Sequence, residues 1–589
     1  MKIRDIIPTA LGEQPARLLI ENARILNVFT GELEAPTTIA VHRKRIAGIG
    51  DYTSGEAVLD AGGRTVLPGF IDAHLHIESS MLVPRQFARA VLSRGTTTVI
   101  ADPHEIANVL GADGVAYMLR STEGIPLNVY IGVPSAVPAT RFETSGAYLG
   151  TDDMIDLVDR HPKRIIALGE VMNYPAVLAR DRELLTKIEI LRSRYKKIDG
   201  HAPGLTGKQL NAYLCAFIRS DHECSTPEEA LEKVSRGMHI FIREGSAARN
   251  LEALIGAVNE RNHGSFSFCT DDRDPLEILT EGHIDYLVRR AIARGLDPVL
   301  AVRMATLNPA RYFGLRSMGA VAPGYKADML LVDDLESLTI HAVIKDGEVV
   351  VRDGELVAPI EGDYNDLPAV LGHFRMPPLS LEALEVQARP GARLRVINVG
   401  EHSLLTDEVH VEPRVVDGLA AADPARDIAK LAVVDRHTGR NITVGFVGNL
   451  GLRRGAVATS VGHDAHNASV AGMDDADMLL ALRTIAASGG GLAVVLDGEV
   501  LASLELPVAG LMSNADLFEV TGRLEGIRAA LRRLGSEREV LMTLSFVQLA
   551  VIPSLRMTDQ GLVDVNAQCF VDLWVSPEQS PVQSTVPVM

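Results

Sequence analysis

The sequence is poor in the groups that mark several common classes of protein. It has 4 cysteines in 589 residues. Cys215, Cys224, Cys269 and Cys569 form no CxxC pair and no regular spacing, which excludes a disulfide scaffold. Free thiols in a chain of this length point to a reducing cytoplasm. Basic charge is also scarce: 58 Lys and Arg against 76 Asp and Glu give a formal net charge of −18. That is the wrong sign for a protein whose main partner is a phosphate backbone, so no nucleic-acid partner is expected. No apolar run is long and unbroken enough to span a bilayer, and residues 1–24 lack the apolar segment of a signal peptide, so no membrane partner is expected. Internal repeats and low-complexity tracts are absent.

What is there is the balance of an ordinary globular protein, 47% hydrophobic and 23% charged, in a chain too long for one core. Two or three domains are expected. Residues 17–67 alternate apolar and polar residues between Gly and Asp punctuation, as short strands do. A matching stretch, ADMLLVDDLESLTIHAVIKDGEVVVRDGEL, lies at 327–356. Two β-rich segments flanking one block predict a single small β-domain built from residues 1–67 and 317–360.

The block between, residues 68–316, alternates strand and helix signals. Eight apolar runs end near HLHIESS, VIADPHE, VYIGVPS, IIALGEV, KIDGHAPG, FIRSDHE, HIFIREG and SFSFCTDD. Helical stretches such as PRQFARAVLSRG and LEALIGAVNERN separate them, with apolar residues three or four apart. Eight such units in about 250 residues predict an α/β fold, a (β/α)8 TIM-type barrel. Residues 380–589 mix strands and helices and are read as a separate α+β domain. A proline-bearing linker over 357–383 precedes them, and the tail SPEQSPVQSTVPVM reads as mobile. The acidic run TPEEALEK reads as a solvated helix face.

The chemically able residues gather at the carboxyl ends of the eight runs, where barrels of this type place their active sites. The first run ends in His74-Leu75-His76, and residues two apart on a strand face the same way. Alone, such a pair also fits a structural role. Its company decides: Glu170 ends the fourth run, His201 the fifth, His222 the sixth and Asp271 the eighth. Four imidazoles and two carboxylates at one barrel mouth describe a metal site, and six ligands exceed what one tetrahedral ion uses, so two ions with a bridging group are expected. A metal-activated hydroxide is the expected nucleophile, and Asp271 the group that accepts its proton and passes it to a leaving nitrogen. Asp272 competes for that role; Asp271 is preferred because it directly follows the apolar run and Thr270.

PGFIDAHLHIESS resembles the first-strand signature of the amidohydrolase superfamily, and GAVAPGYKADMLLVDD resembles the return of its flanking β-domain. HLHIESSM, GTTTVIADPHEIANVLG, GHAPGL, TDDRDP, MATLNPAR, SVGHDAHN and LPVAGLMS narrow the resemblance to the bacterial adenine deaminase branch. It covers nearly the whole chain. The resemblance implies a barrel with one or two divalent metals, held by His74, His76, His201, His222 and Asp271. The commonest binuclear pattern uses a carboxylated lysine on the fourth strand. Here Lys163 lies at the wrong end of that strand, and Glu170 stands where the bridging group belongs, as it does in this branch.

The activity so implied is hydrolytic deamination of adenine to hypoxanthine and ammonia, with attack at C6, in purine salvage. Either Asp271 or Glu170 would handle the protons. The negative charge fits a free base better than a base within a polymer, and the PCxxC motif of the cysteine-ligated zinc deaminases is absent. Ring opening of a cyclic amide is the neighbouring alternative, and a non-catalytic barrel scaffold is the alternative from another class. The donor set suits manganese or iron, and also zinc. A homo-oligomer, favouring a dimer, is the default assembly.

Further polar groups flank these ligands. Glu78, Ser79 and Ser80 follow the first run, and Asp102, His104 and Glu105 follow the second. They are candidates for substrate contact, an extra ion or loop support. Arg243 and Glu244 after the seventh run are weaker candidates. GHDAHN, with His463, Asp464 and His466, reads either as completing the site or as a structural loop, and Met512 and Ser513 could line the same region. His161, His283 and His437 read as surface or packing residues.

Overall fold

The computed structural model describes residues 3–246, 248–357, 359–360, 367–400 and 405–576. The expected mobile tail, apart from Ser576, and part of the expected linker lie outside the described residues. The chain forms two compact units. The first comprises residues 1–104, 115–136 and 150–366; the second comprises 105–114, 137–149 and 367–589. Two short segments of the 68–316 block thus belong with the C-terminal residues.

In the first unit, eight parallel strands form the α/β barrel: β1 (Phe70–Leu75), β2 (Thr96–Ala101), β3 (Asn128–Val133), β4 (Ile165–Val171), β5 (Lys197–Gly200), β6 (Ser220–Asp221), β7 (His239–Arg243) and β8 (Phe266–Cys269). β1 and β2 are buried along their whole length, as strands covered on both faces must be. The strands hydrogen-bond in two arcs, β1–β5 and β6–β8. One seam is closed by Asp271 N donating to His74 O at 3.0 Å. The other is crossed by Arg219 N donating to Ile198 O at 3.2 Å. Gly200 permits that second approach, because a Cβ there would lie 2.2 Å from Ser220 O. Ile71, Ala73, Ile100, Ala167, Phe241 and Cys269 share one buried cluster in the barrel.

The same unit carries a ten-stranded sheet assembled from both sides of the barrel sequence. Met329–Val332 pairs antiparallel with Thr65–Pro68, which pairs in turn with Ala16–Asn27. Ile20, Ile25, Ile39, Val66, Met329 and Leu331 form its core.

The second unit is built on a nine-stranded sheet. The helix Asp475–Ala487 packs on it, started by Asp474, whose carboxylate accepts from the backbone of Ala476 and Asp477. GHDAHN joins the paired strands Ala456–Thr459 and Ala468–Gly472. Segment 137–149 is fixed in this unit by Phe142, clustered with Ala550, Val563 and Val565, and by Thr144 N donating to Asp559 Oδ1 at 2.9 Å. Among the described residues no helix is long and apolar enough to cross a membrane.

Candidate metal centre

The carboxyl ends of the barrel strands converge as the sequence spacing requires. His74 and His76 leave the end of β1 with their rings 5.0 Å apart. His76 Nε2 is 3.1 Å from Asp271 Oδ1 and 3.5 Å from Glu170 Oε1. His74 Nε2 is 3.4 Å from the same Asp271 oxygen. Glu170, at the end of β4, reaches His201 Nδ1 at 2.7 Å and His222 Nε2 at 3.2 Å. All six residues expected as ligands therefore fall in one group, with Glu170 at its centre. His74, His76 and Asp271 place one donor atom each within 4.8 Å of one another, as do His74, Glu170 and His222.

Two buried nitrogens in this group, His74 Nε2 and His222 Nδ1, have no hydrogen-bond partner. Buried polar atoms are seldom left so, and the surrounding donors are imidazole nitrogens and carboxylate oxygens. That set fits a borderline divalent cation. Asp271 has φ +58, a left-handed conformation uncommon outside glycine and asparagine. The backbone bonds from Asp271 N to His74 O and from His76 N to Asp271 O hold it there.

Burial works against charge on every member, and the cluster overrides it. The Arg243 guanidinium, then His74 and His76, hold Asp271 well below the usual carboxylate range. His201 and His222 do the same for Glu170. Burial and the neighbouring His222 oppose charge on His74, but Asp199 and Asp271 raise it to about 9.

Asp102 and His104 lie close by. Asp102 Oδ2 accepts from Glu170 N at 2.8 Å, and its backbone carbonyl accepts from His76 Nδ1 at 2.8 Å. Gly169 makes room for this carboxylate, since a Cβ there would sit 2.2 Å from Asp102 Oδ2. His104 Nδ1 is 3.7 Å from Glu170 Oε1. Ser79 donates to Asp272 Oδ1 at 2.5 Å, and Glu78 is buried beside it in a short 3-10 turn. Glu244 is tied to backbone, accepting from Leu251 N at 3.2 Å.

Three residues at the centre were not singled out by sequence reasoning or were ranked low. Arg243 donates to Asp271 Oδ2 at 2.8 Å and pairs with Glu223. Glu223 Oε1 is 3.4 Å from His222 Nε2 and 3.6 Å from His201 Nδ1. Asp199 Oδ2 is 3.0 Å from His74 Nδ1. Only Arg243 had been noted. Asp199 was detectable, because in KIDGH it lies two residues before His201 and so faces the same way.

The expectation for TPEEALEK requires correction. The run caps and forms the helix Pro227–Ser235, but Lys233 is fully buried and Glu229 nearly so. Glu229 and Lys233, one turn apart, face inward. Lys233 Nζ donates to Glu229 Oε1 at 2.6 Å, Asp221 Oδ2 at 2.8 Å and Ala202 O at 2.7 Å. Asp221 precedes His222 and Ala202 follows His201, so one ammonium braces the chain beside both imidazoles. Lys233→Met is expected to strand two buried carboxylates and to cost about 3–5 kcal/mol of stability. Urea denaturation of the purified variant measures it, and a change below about 1 kcal/mol would refute the brace.

In the second unit, His463 Nδ1 is 3.7 Å from Glu105 Oε1 and 3.6 Å from Asp464 Oδ1, and its ring stacks on Phe546. His466 Nδ1 lies 3.2 Å from Gly462 N, closing the loop on itself. Met512 and Ser513 are buried in a turn, where Met512 N donates to Val508 O at 3.1 Å. Burial, with Asp464 and Asp559 nearby, pushes the Glu143 carboxyl up to about 8. Unfolding returns Glu143 to the ordinary range, so as pH rises from about 4.5 to 8 the unfolded chain loses its proton first and the folded state is penalised. Glu143→Gln is therefore expected to leave stability unchanged near pH 4 and to raise it by a few kcal/mol near pH 8. Denaturation midpoints at the two pH values test the sign. His283 is a packing residue, buried with Nδ1 2.9 Å from Thr96 Oγ1, and His437 is held by Ala465 O.

Residues 65–350 match the amidohydrolase family. With the barrel and its converging imidazoles and carboxylates, the chain is a hydrolase of that family, whose members use a divalent metal. Residues 403–569 match the adenine deaminase C-terminal domain. The chain is 55% identical over 576 residues to an adenine deaminase of Thermosipho melanesiensis, covering 98% of this chain and 100% of that one. It is 55% identical over 580 residues to one of Kosmotoga olearia, with the same coverage, and 47% identical over 578 residues to one of Methanothrix thermoacetophila, again covering 98% and 100%. The chain belongs to the adenine deaminase family.

Proposed function

We propose that the protein deaminates free adenine hydrolytically to hypoxanthine and ammonia, in purine salvage. The observation that carries this reading is the convergence of His74, His76, Glu170, His201, His222 and Asp271 at one barrel mouth in a chain with full-length adenine deaminase relatives. We assign these six residues as the groups that would hold two divalent ions, manganese, iron or zinc, with Glu170 at the centre of the group. Bound ions supply water that ionises near neutral pH and screen the charge that develops at C6.

The chain's own groups do the rest. In the reaction an O–C6 bond forms, the C6–N6 bond breaks, and a proton must travel from the attacking water to the departing amine. Asp271 is the shuttle: Arg243 occupies its Oδ2 and keeps it ionised, leaving Oδ1 turned toward His74 and His76. Glu170 is the alternative donor to ring N1. Glu78, Ser79 and His104 are the candidates in the first unit for holding the purine, and Asp102 orients Glu170 through its backbone N–H. Unpaired cysteines fit a cytoplasmic enzyme, and a homodimer is the default assembly.

The test is a metal analysis of the purified protein coupled to a substrate panel. Ammonia and hypoxanthine released from adenine, with no turnover of dihydropyrimidines or hydantoins, is the expected result. Ring opening of the cyclic amides without deamination would replace this reading by its neighbour.

A further inference from the structure

The four imidazoles of the centre are not held alike. His76 turns Nδ1 to a backbone carbonyl, that of Asp102. His201 turns Nδ1 inward to Glu170. His222 Nδ1 has no partner. His74 alone has a carboxylate behind it, with Nδ1 3.0 Å from Asp199 Oδ2. We propose that Asp199 is a positioning residue of the metal centre, which fixes the tautomer and aim of His74 and thereby strengthens the ion site formed by His74, His76 and Asp271 over that formed by His201, His222 and Glu223.

The hydrogen-bond inventory supports the assignment. Asp199 is buried, and its Oδ1 is taken by Ser220 Oγ and by Gly200 N at 2.9 Å. Its Oδ2 faces His74. Among the described residues its ion-pair partner is His74 and no arginine or lysine. A carboxylate oxygen at this distance accepts from Nδ1–H, so Nε2 is the ring nitrogen left to face a cation. Nε2 is the buried nitrogen that lacks a hydrogen bond and stands 3.4 Å from Asp271 Oδ1. A carboxylate placed behind a metal-binding imidazole makes the ring a stronger donor and restricts its rotation; loss of such a partner weakens metal binding by about 10–100-fold. A buried carboxylate with no arginine or lysine against it depends on its hydrogen bonds, and here one of its two oxygens is given over to His74. The asymmetry therefore has a functional explanation that a packing role does not supply. β5 contributes Asp199 and His201 from one face, so the strand supports one ion directly and the other through His74.

The inference rests on the proposed function only in requiring that the cluster bind cations. The experiment compares the zinc-loaded wild type with Asp199→Asn and Ser220→Ala by chelator competition, reading stoichiometry and the affinity of each ion. Asp199→Asn is expected to weaken one ion by about 10–100-fold and leave the other essentially unchanged. Ser220→Ala, which releases only the far oxygen, should shift the same ion in the same direction by less. A purely structural role would lower the melting temperature and weaken both ions together, and that result overturns the proposal, as does unchanged affinity for both. Should Asp199→Asn fail to fold, nitrogen resonances of zinc-loaded, histidine-labelled wild type decide: His74 bound through Nε2 with its proton on Nδ1 supports the assignment, and His74 bound through Nδ1 refutes it. A wild type that takes up no cation ends the metal reading and this one with it. A wild type that binds two while the variants behave identically ends this one alone.

Discussion

His201→Ala is expected to lose most of its bound metal and nearly all turnover while remaining folded. His201 is the most accessible of the four imidazoles, and its ring meets Glu170, Glu223 and the edge of the His222 ring. What fixes the local chain is backbone and neighbour chemistry that alanine keeps: the backbone N–H of residue 201 donates to Tyr213 Oη at 3.0 Å, while Ala202 N donates to Asp221 Oδ1 at 2.8 Å. Removing a direct ligand should cost more than the roughly 10–100-fold lost when only an outer hydrogen-bond partner goes. Metal content, circular dichroism and adenine turnover on one preparation separate the outcomes. Full activity in this variant would contradict the site.

Asp271→Asn should behave in the opposite way, retaining metal while turnover falls by roughly 10²–10⁴-fold, the usual contribution of a positioned acid–base group. The substitution is a clean one. Asparagine tolerates the left-handed backbone that φ +58 demands, and the seam bonds, Asp271 N to His74 O and His76 N to Asp271 O, are made by the backbone, so the β1–β8 seam is kept. What disappears is the ability to take a proton from water. Near-normal turnover would remove Asp271 from the shuttle and leave Glu170 as the remaining carboxylate at the centre.

The convergence of the six candidate residues was legible in the sequence because each follows a short apolar run, and strand ends in a parallel barrel point the same way. The α/β barrel itself was legible for the same reason, with β-branched and apolar runs at regular intervals. The supporting residues were less so. Glu223 directly follows His222, so alternation along a strand gives it no reason to face the same centre; it does so because β6 is only Ser220–Asp221 and the chain turns immediately afterwards. Lys233 sits among four acidic and polar neighbours, and composition alone reads such a run as solvated. Its burial depends on Asp221, a residue on another element. Segments 105–114 and 137–149 carry no periodicity that declares a partner, and their place in the second unit is set by contacts such as Phe142 with Val563 that lie far away in sequence.

The two arcs of the barrel meet at two seams, and the ligand pairs straddle both. His74 and His76 stand on one side of the first seam with Asp271 on the other. His201 and His222 face each other across the second. A cation held by either set would thus also be a rivet through the wall of the barrel, and stripping the metal would take out the fastenings along with the catalyst.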